Sequence, residues 1–583
     1  MDAFLLKRKV QDANSHDNAK KTCKEKCPHA AKCYRRNPHH FKEFDHPHLD
    51  ALLEKGEFLE LPPDYPQDKQ VVKEQLEVLR GLRNVKPKLE QVASAKEHVE
   101  ERPSSSSVSK VGDKRLSSRN KSTSYTAQTS STVSNKSSNM KPMAERLKEN
   151  GPYNLFFTTI PDAPQTHTQQ NSITFTDLLC PSLGELKCSL QINFMIDIAW
   201  LMEQYLKAGQ GKKPLTILYG DEWPDMKKYI ELMLPNVTEH LVKIKDPFGI
   251  HHSKVGIYVY SDNSLRVVVS TANLYYEDWN YYCQGLWISP LCPVLPEDSP
   301  DKAGESPTNF KSTLLSYLQQ YNIGVLKTWI DYVKRADFSN VKVFLITSVP
   351  GKYTSVGKPV HCHLHSVGEL LSHHCVLPAK TTPTSEGPLS WGVLAQSSSI
   401  GSLGKVPAEW LRGTLLRSLA SHKDCRLPAN SNSTLSIIFP TKDNVLSSYY
   451  GPQGGGCLPY SKSVHEKQKW LKDYLHQWKA DHTNRSRAMP HIKTYCRVSP
   501  CTTKLAWFLI TSANISKSAW GGNITKAGTS YVRSYEVGVL FLPKYFEETY
   551  FQIKDTGDDT KLFPFIYDIP LTPYKNADEP WCN

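Results

Sequence analysis

Two stretches decide the reading: GIHHSKVGIYVYSDNSLRVVVSTANLYYEDW at residues 249–279 and PHIKTYCRVSPCTTKLAWFLITSANISKSAW at residues 490–520. In the first, His252-Ser253-Lys254 leads into an apolar run, then Ser270-Thr271-Ala272-Asn273-Leu274, with Trp279 six residues after the Asn. In the second, His491-Ile492-Lys493 leads into an apolar run, then Thr511-Ser512-Ala513-Asn514-Ile515, with Trp520 six residues after that Asn. Lys to Asn is 19 residues in one copy and 21 in the other. A single HxK is noise in a chain of 583 residues, but two that share the same strand, Asn and Trp downstream mark a duplicated domain with one site between the copies. Each copy continues into a further apolar strand, preceded by Gln284-Gly285 in the first and by Glu536 in the second.

On an extended segment residues i and i+2 share a face, so the His and Lys of each pair project together. Two facing copies would set two His, two Lys and two Asn around one centre. The set lacks clustered carboxylates and cysteines, and suits an anion better than a divalent metal. A phosphodiester is the natural occupant, because two ammonium groups and two amide donors can stabilise the charge that spreads over phosphoryl oxygens. One imidazole can attack phosphorus as a neutral nucleophile while the other, protonated, serves the leaving oxygen and then activates water.

Apolar bursts at 215–219, 265–269, 343–346, 435–439, 505–510 and 537–542 alternate with segments of helical period, which predicts an α/β layered core. Phe194–Tyr205 reads as a helix with Met195, Ile198, Met202 and Tyr205 on one face. Upstream, residues 104–138 hold 14 serines in 35 positions and almost no large apolar group, the composition of a disordered linker. Val71, Leu76, Leu79 and Leu82 precede it at helical spacing, predicting a short, charged, exposed helix.

The net charge is +13, of which residues 1–150 contribute +8 (29 basic against 21 acidic), so the first quarter is the more basic part and favours polyanions such as nucleic acid. No apolar run approaches the ~18 residues that cross a bilayer, and the opening MDAFLLKRKVQDANSHD lacks the order of a secretory signal. No membrane role is expected. Fourteen scattered cysteines do not form a disulfide framework and are expected to be reduced thiols.

The two HxK and Asn sets resemble the phospholipase D superfamily. The text around them, with CQGLWISP, AQSSSIGSLG and RSYEVGVLFLP, is similar to tyrosyl-DNA phosphodiesterases of type I over about residues 145–583. The general superfamily carries an Asp five residues after each Lys; Val259 and Val498 stand there, as in the tyrosyl-DNA subfamily. The resemblance implies two phospholipase D-like α/β sandwich domains, 143–345 and 346–583, packed about a pseudo-two-fold axis with one shared active site. It implies a metal-independent DNA-repair enzyme that hydrolyses the bond between a DNA 3′-phosphate and a tyrosine of stalled topoisomerase I, and other 3′-end adducts, through a phosphohistidine. His252 would be the nucleophile and His491 the acid, then base; Lys254, Lys493, Asn273 and Asn514 would hold phosphoryl oxygens; Gln284 and Glu536 would orient the histidines across the interface.

Less directly, Phe194, Ser399, Ser402, Ser516 and Lys517 match positions that contact single-stranded or nicked DNA. The Gly454–Pro459 loop matches one on the peptide side, with Cys457 where Ser is common, and Trp581 matches a terminal Trp. The rival readings are another phosphodiesterase of the same fold, a nuclease or lipid hydrolase, and a non-catalytic reader of poly(ADP-ribose) or DNA ends. The subfamily text and two intact HxK pairs weigh against them.

Cys27, Cys33, His40 and His46, separated by five, six and five residues, suit a tetrahedral structural zinc in a module over 22–50, joined by a linker over 51–142. The wording CYRRNPHHFKEFDHP resembles the poly(ADP-ribose)-binding zinc finger, which implies ligand contacts from Tyr34 and Arg35. His29 and Ala30 replace the aromatic and glycine of the usual turn. The His and Cys between His361 and Cys375 match no zinc spacing, and a structural surface role is expected for them. A nuclear, partly cytoplasmic monomer completes these expectations, with Lys7-Arg8-Lys9 compatible with import.

Overall fold

The computed structural model describes residues 25–27, 41, 44–53, 72, 75, 76, 79, 80 and 141–583, apart from 222–225, 301, 355–360, 379–390, 424–432 and 558–560. They fall into two units, Met1–Ser131 and Thr132–Asn583. In the first, Glu25–Lys26 pairs in parallel with Phe44–Asp45, and the Cys27 N–H donates to Asp45 O at 3.0 Å. The helix Pro47–Leu53 follows. Phe41, Leu49, Val72 and Leu76 are buried together, with Leu52, Leu53 and Leu79 against them. Leu76 and Leu79, expected on an exposed helix, thus lie in this core, because the finger is too small to supply one alone; Val71 and Leu82 lie outside the described residues. The Ser-rich stretch 104–138 lies outside the described residues.

In the second unit one sheet is built from β1 (Leu155–Thr158), β2 (Ser172–Ile173), β3 (Leu186–Ile192), β4 (Leu215–Tyr219), β5 (Val237–Leu241), β6 (Val255–Tyr260), β7 (Leu265–Ser270) and β8 (Gly285–Ile288). Its spatial order is β2-β1-β8-β7-β6-β3-β4-β5. The other contains β9 (Phe344–Ser348), β10 (Gly392–Gln396), β11 (Leu435–Ile438), β12 (Leu475–His476), β13 (Thr494–Val498), β14 (Lys504–Thr511) and β15 (Glu536–Phe541), in the order β9-β15-β14-β13-β10-β11-β12. Strand for strand from β1 and β9 onward the two orders are the same. The directions agree as well: β6 and β13 run antiparallel to β3 and β10, which run parallel to β4 and β11. This is the duplication read from the HxK pairs, in three dimensions. The domain division expected after residue 345 cuts β9, all five residues of which pair with β15.

Alternation along the first sheet assigns its two faces. Leu155, Phe157, Ile257, Val267 and Val269 join one continuous core with Ile510, Val537 and Val539 of the second sheet. Phe156, Ile217, Tyr258 and Val268 face a separate core under the helix α1 (Ile198–Lys207). The helix begins later than its sequence period suggests, because Asp197 caps it, accepting from the N–H groups of Ala199 and Trp200 at 3.0 and 3.1 Å. Phe194 is left outside it, where its carbonyl accepts from Gly220 and Asp221.

The lobes meet along two short parallel pairings related by the pseudo-symmetry: His251 bridges Tyr535, and Tyr282–Cys283 pairs with Met489–Pro490. Gly285 sits at this seam, where a Cβ would lie 2.5 Å from the Cδ1 atoms of both Ile492 and Ile510. Arg485, fully buried, ties the second lobe to the first by donating to Thr158 O at 3.1 Å and Ser172 Oγ at 2.6 Å.

Candidate active site

The seam places each HxK beside the strand that begins with the other lobe's polar residue. The His252 N–H donates to Tyr535 O at 2.9 Å, and the His491 N–H donates to Cys283 O at 3.0 Å. Each of those carbonyls belongs to the residue before the orienting side chain. His252 Nδ1 is therefore 2.9 Å from Glu536 Oε2, across 284 residues of sequence. His491 Nδ1 is 2.9 Å from Gln284 Nε2, across 207. Both histidines are buried, at 8% and 7% exposure, as are Lys254, Lys493, Gln284 and Glu536.

The two crossed pairs differ chemically. Glu536 is acceptor-only toward His252, so Nδ1 carries the proton and Nε2 keeps its lone pair. Ser512 Oγ donates to the same carboxylate oxygen at 2.5 Å. In the other pair Thr271 Oγ donates to Gln284 Oε1 at 2.8 Å, which turns the amide nitrogen toward Nδ1 of His491 and leaves a neutral ring with its proton on Nε2. Asp278 Oδ2 stands 3.2 Å from that same Nδ1, ready to accept when the ring is fully protonated.

Lys254 Nζ donates to the carbonyl of His252 at 3.0 Å, and Lys493 Nζ donates to that of His491. Burial pushes Lys254 down to about 8, and burial with the repulsion of Lys254 pushes Lys493 down to about 7. His491 is pushed down to about 4 by burial and by Lys493, against the pull of Asp278. Burial also lowers His252, although Glu536 opposes it. Burial favours neutral Glu536 and Asp278, yet their histidine and hydrogen-bond partners prevail and both are lowered. The sequence reading expects one neutral and one protonated imidazole; here both are lowered, first by burial and then by the lysines beside them.

The tryptophans of the repeat brace the turns that carry the asparagines. Trp279 Nε1 donates to Asn273 O at 2.9 Å. Trp520 Nε1 donates at 3.2 Å to the Tyr495 hydroxyl, which donates to Ala513 O at 2.9 Å. Asn514 Oδ1 accepts from Ser397 Oγ, the Ser398 N–H and the Ser399 N–H at 3.0–3.2 Å, which turns its Nδ2 away from that loop. Asn273 is buried and its Oδ1 has no hydrogen-bond partner within the described residues.

Of the other sequence candidates, Phe194 lies against the site, its ring 5.8 Å from that of His252 and 5.7 Å from Lys254 Nζ. Ile400 bridges Ile515, drawing Ser399, Ser516 and Lys517 close to Asn514. Ser399 Oγ donates to Pro459 O and Ser516 Oγ accepts from the Ala519 N–H, so both hydroxyls already have structural partners. Ser402 is exposed on the same loop, and among the described residues no hydrogen bond ties it to the His, Lys and Asn set. Cys27 and His46 are both buried and follow the two paired strands, so they end at the same edge, as two ligands of one zinc require. Cys33, His40, Tyr34 and Arg35 lie outside the described residues.

Repeat-based reading misses Asp278, since position 519 of the second copy, the same five residues past its Asn, is an alanine. It also misses Thr271 and Ser512, although both lie in the quoted turns. The His361 cluster is corrected in part: His373 is exposed and His374 half-buried, but Cys362, Cys375 and three of the histidines are buried rather than superficial, His361 bonding Thr347 and Ser316, His363 bonding Ser348 and Thr511, and His365 bonding Ser530. Hydroxyl partners, invisible in composition, satisfy these rings.

Two duplicated lobes that give one cationic pocket a His, a Lys and an Asn each define a phosphodiesterase of the phospholipase D-like class. The model of the tyrosyl-DNA phosphodiesterase family matches residues 154–575, and that of the PBZ domain matches 24–49. The chain is 39% identical to tyrosyl-DNA phosphodiesterase 1 of Drosophila melanogaster, over 96% of this chain and 99% of that one. It is 31% identical to a probable tyrosyl-DNA phosphodiesterase of Caenorhabditis elegans, over 74% and 89%. A crystal structure of the yeast tyrosyl-DNA phosphodiesterase shares the fold, with a TM-score of 0.56 at 22% identity, covering 74% of this chain and 99% of that one. The chain belongs to the tyrosyl-DNA phosphodiesterase family.

Proposed function

We propose that the chain is a DNA-repair phosphodiesterase that hydrolyses the bond joining a DNA 3′-phosphate to a tyrosine, a reading supported by relatives named tyrosyl-DNA phosphodiesterases. The observation that carries the mechanism is the crossed and unequal pairing of His252 with Glu536 and of His491 with Gln284 and Asp278. His252 Nε2 attacks phosphorus, the bond from phosphorus to the tyrosyl oxygen breaks, and His491 gives that oxygen its proton. Glu536 holds the Nδ1 proton of the phosphorylated ring. His491, now neutral, takes a proton from water; the hydroxide attacks phosphorus and the P–N bond breaks. The products are free tyrosine, a DNA 3′-phosphate and regenerated His252.

Lys254, Lys493 and the Asn514 and Asn273 amides surround the equatorial oxygens throughout. A bound phosphodiester brings the negative charge that raises His491 into its protonated form, with Asp278 accepting from Nδ1. In this reading Phe194, Ser399, Ser402, Ser516 and Lys517 hold the DNA strand, and the leaving group is a topoisomerase I peptide or another 3′ adduct. The PBZ module, supported by its family match, holds zinc through Cys27, Cys33, His40 and His46 and uses Tyr34 and Arg35 for poly(ADP-ribose). The whole acts as a monomer in the nucleus, and partly in the cytoplasm.

The test is turnover of 3′-tyrosyl DNA, 5′-tyrosyl DNA and phosphatidylcholine side by side, with the covalent adduct of His491→Ala mapped by mass spectrometry. Selective 3′ cleavage and an adduct on His252 are expected. An adduct on another residue, or preference for the lipid, overturns the reading.

A further inference from the structure

His252 and Lys254 precede β6, in an extended segment outside the sheet ladder. Their catalytic faces point one way, and Ser253 between them points the other. Behind the segment runs α2 (Phe310–Gln320), whose Tyr317 hydroxyl lies 2.5 Å from Ser253 Oγ. Tyr317 is bonded at 2.7 Å to the hydroxyl of Tyr321, the residue that closes the helix, and Tyr321 is bonded at 3.0 Å to His251 Nε2. Both chain neighbours of His252 are thus anchored to one pair of tyrosines. The Tyr321 ring also stacks on Tyr535, with centroids 4.7 Å apart and planes 18° apart. Tyr535 supplies the carbonyl that accepts the His252 N–H, and Glu536 follows it.

Among the described residues the second lobe has nothing comparable. There the middle residue is Ile492, buried at the Gly285 seam, and Pro490 stands where His251 does. The hydroxyl chain is therefore confined to the histidine that forms the covalent bond. Serine, both tyrosines and His251 are all fully buried or nearly so, which makes each of these hydrogen bonds costly to lose.

We infer that Tyr317 and Tyr321 are positioning residues for the covalent step: they hold His252 and Glu536, which come from different lobes, in the register that aims Nε2 at phosphorus. The inference rests on His252 being the nucleophile. A nucleophile must hold its attack geometry to within a fraction of an ångström, whereas an acid reaching an oxygen through its own proton tolerates more play. The polar anchor behind one HxK and the apolar packing behind the other match that difference.

Tyr321→Phe and Tyr317→Phe keep the rings and the stack on Tyr535 but remove the hydroxyl chain. In single-turnover experiments on a 3′-phosphotyrosyl oligonucleotide, both are expected to slow formation of the His252 adduct by about 10- to 100-fold. The rate at which a formed adduct hydrolyses, and KM, should stay within about twofold of the unaltered chain. The double variant Ser253→Ala with Tyr317→Phe should lose no more than the worse single, since one chain is broken in either case. Equal losses in formation and breakdown, unchanged formation, or multiplicative losses in the double would each overturn the inference. Absence of a His252 adduct in the unaltered chain would overturn the nucleophile assignment itself, and is separately visible.

Discussion

Replacing Glu536 by Gln makes the two lobes alike in their orienting residue and so isolates what the carboxylate contributes. Glu536 is 3% exposed and accepts from both His252 Nδ1 at 2.9 Å and Ser512 Oγ at 2.5 Å. The amide preserves shape but removes the charge beside a ring that becomes cationic as the P–N bond forms. A hydrogen bond to a charged partner is worth about 1.5–3 kcal/mol, or about 10- to 100-fold in rate. A second loss adds to it, because an amide N–H facing Nδ1 moves the ring proton to Nε2 and removes the attacking lone pair. Together they place the expected loss in adduct formation at about 10²- to 10⁴-fold, the upper end being the loss found when a triad carboxylate becomes an amide. The pH profile supplies an independent sign. Adduct formation needs neutral His252, so its rate rises with pH through the pKa of that ring, which Glu536 raises. Removing the carboxylate moves this acid limb to lower pH even as the maximum falls. Quench-flow on a 3′-phosphotyrosyl oligonucleotide from pH 4 to 9 reads both. A rate for Glu536→Gln within about threefold of the unaltered chain, with an unmoved acid limb, would refute the reasoning.

Asp278→Asn should cost about 10- to 100-fold with tyrosyl as the leaving group and almost nothing with nitrophenyl, which departs without a proton; equal losses on both would deny Asp278 its part in the acid. Gly285→Val forces atoms into a Cβ position already 2.5 Å from Ile492 and Ile510, at about 1–3 kcal/mol. Calorimetry should show Tm lowered by several degrees, with reduced turnover because Ile492 lies between His491 and Lys493; an unchanged Tm would contradict the seam as described. Chelation with EDTA should leave cleavage of a 3′-tyrosyl oligonucleotide intact, since the pocket is built from cations and amides; loss of all cleavage would remove the metal-free reading.

The fold and the shared members of the site were legible because duplication writes them twice. A strand that must be buried on both faces is apolar at most of its positions, as β7, β14 and β15 are, and alternation with helices then allows few architectures. What a repeat exposes is symmetry, and the roles of the histidines lie in its violations. By repeat position Asp278 corresponds to Ala519, Glu536 to Gln284, and Ser253 to Ile492. All three differences stand in the sequence, but only Glu536 and Gln284 announce a role there, because the partners of Asp278 and Ser253 appear only in the structure. Tyr317 and Tyr321 lie more than sixty residues from His252, on a helix whose sequence announces only packing. The His361–His365 run misled in the opposite direction: its composition suggests chemistry, while its partners are serines and threonines scattered over β9, β14 and the strand at Thr529–Val532. The buried face of the Val72–Leu79 helix was hidden because the residues it covers belong to a module whose own apolar content is slight.

Charge in the pocket is held under tension until an anion arrives, and this too is measurable. Lys493 at about 7, Lys254 at about 8 and His491 at about 4 are all displaced by burial in one small volume, with Lys254 adding to the displacement of Lys493 and His491 in the other lobe. A phosphate between them reverses the repulsion, so each group gains affinity for a proton when substrate or product binds. At pH 8 a Lys493 at about 7 is mostly neutral and a Lys254 at about 8 about half protonated, so binding of a 3′-phosphorylated oligonucleotide should take up about one and a half protons. At pH 6 both lysines are already charged and uptake passes chiefly to His491. Titration calorimetry in buffers of different ionisation enthalpy counts those protons directly. An apparent binding enthalpy that does not vary with buffer at pH 8 would mean the lysines are fully charged in the empty pocket. The attraction that assembles the transition state would then be in place before substrate enters, rather than completed by it.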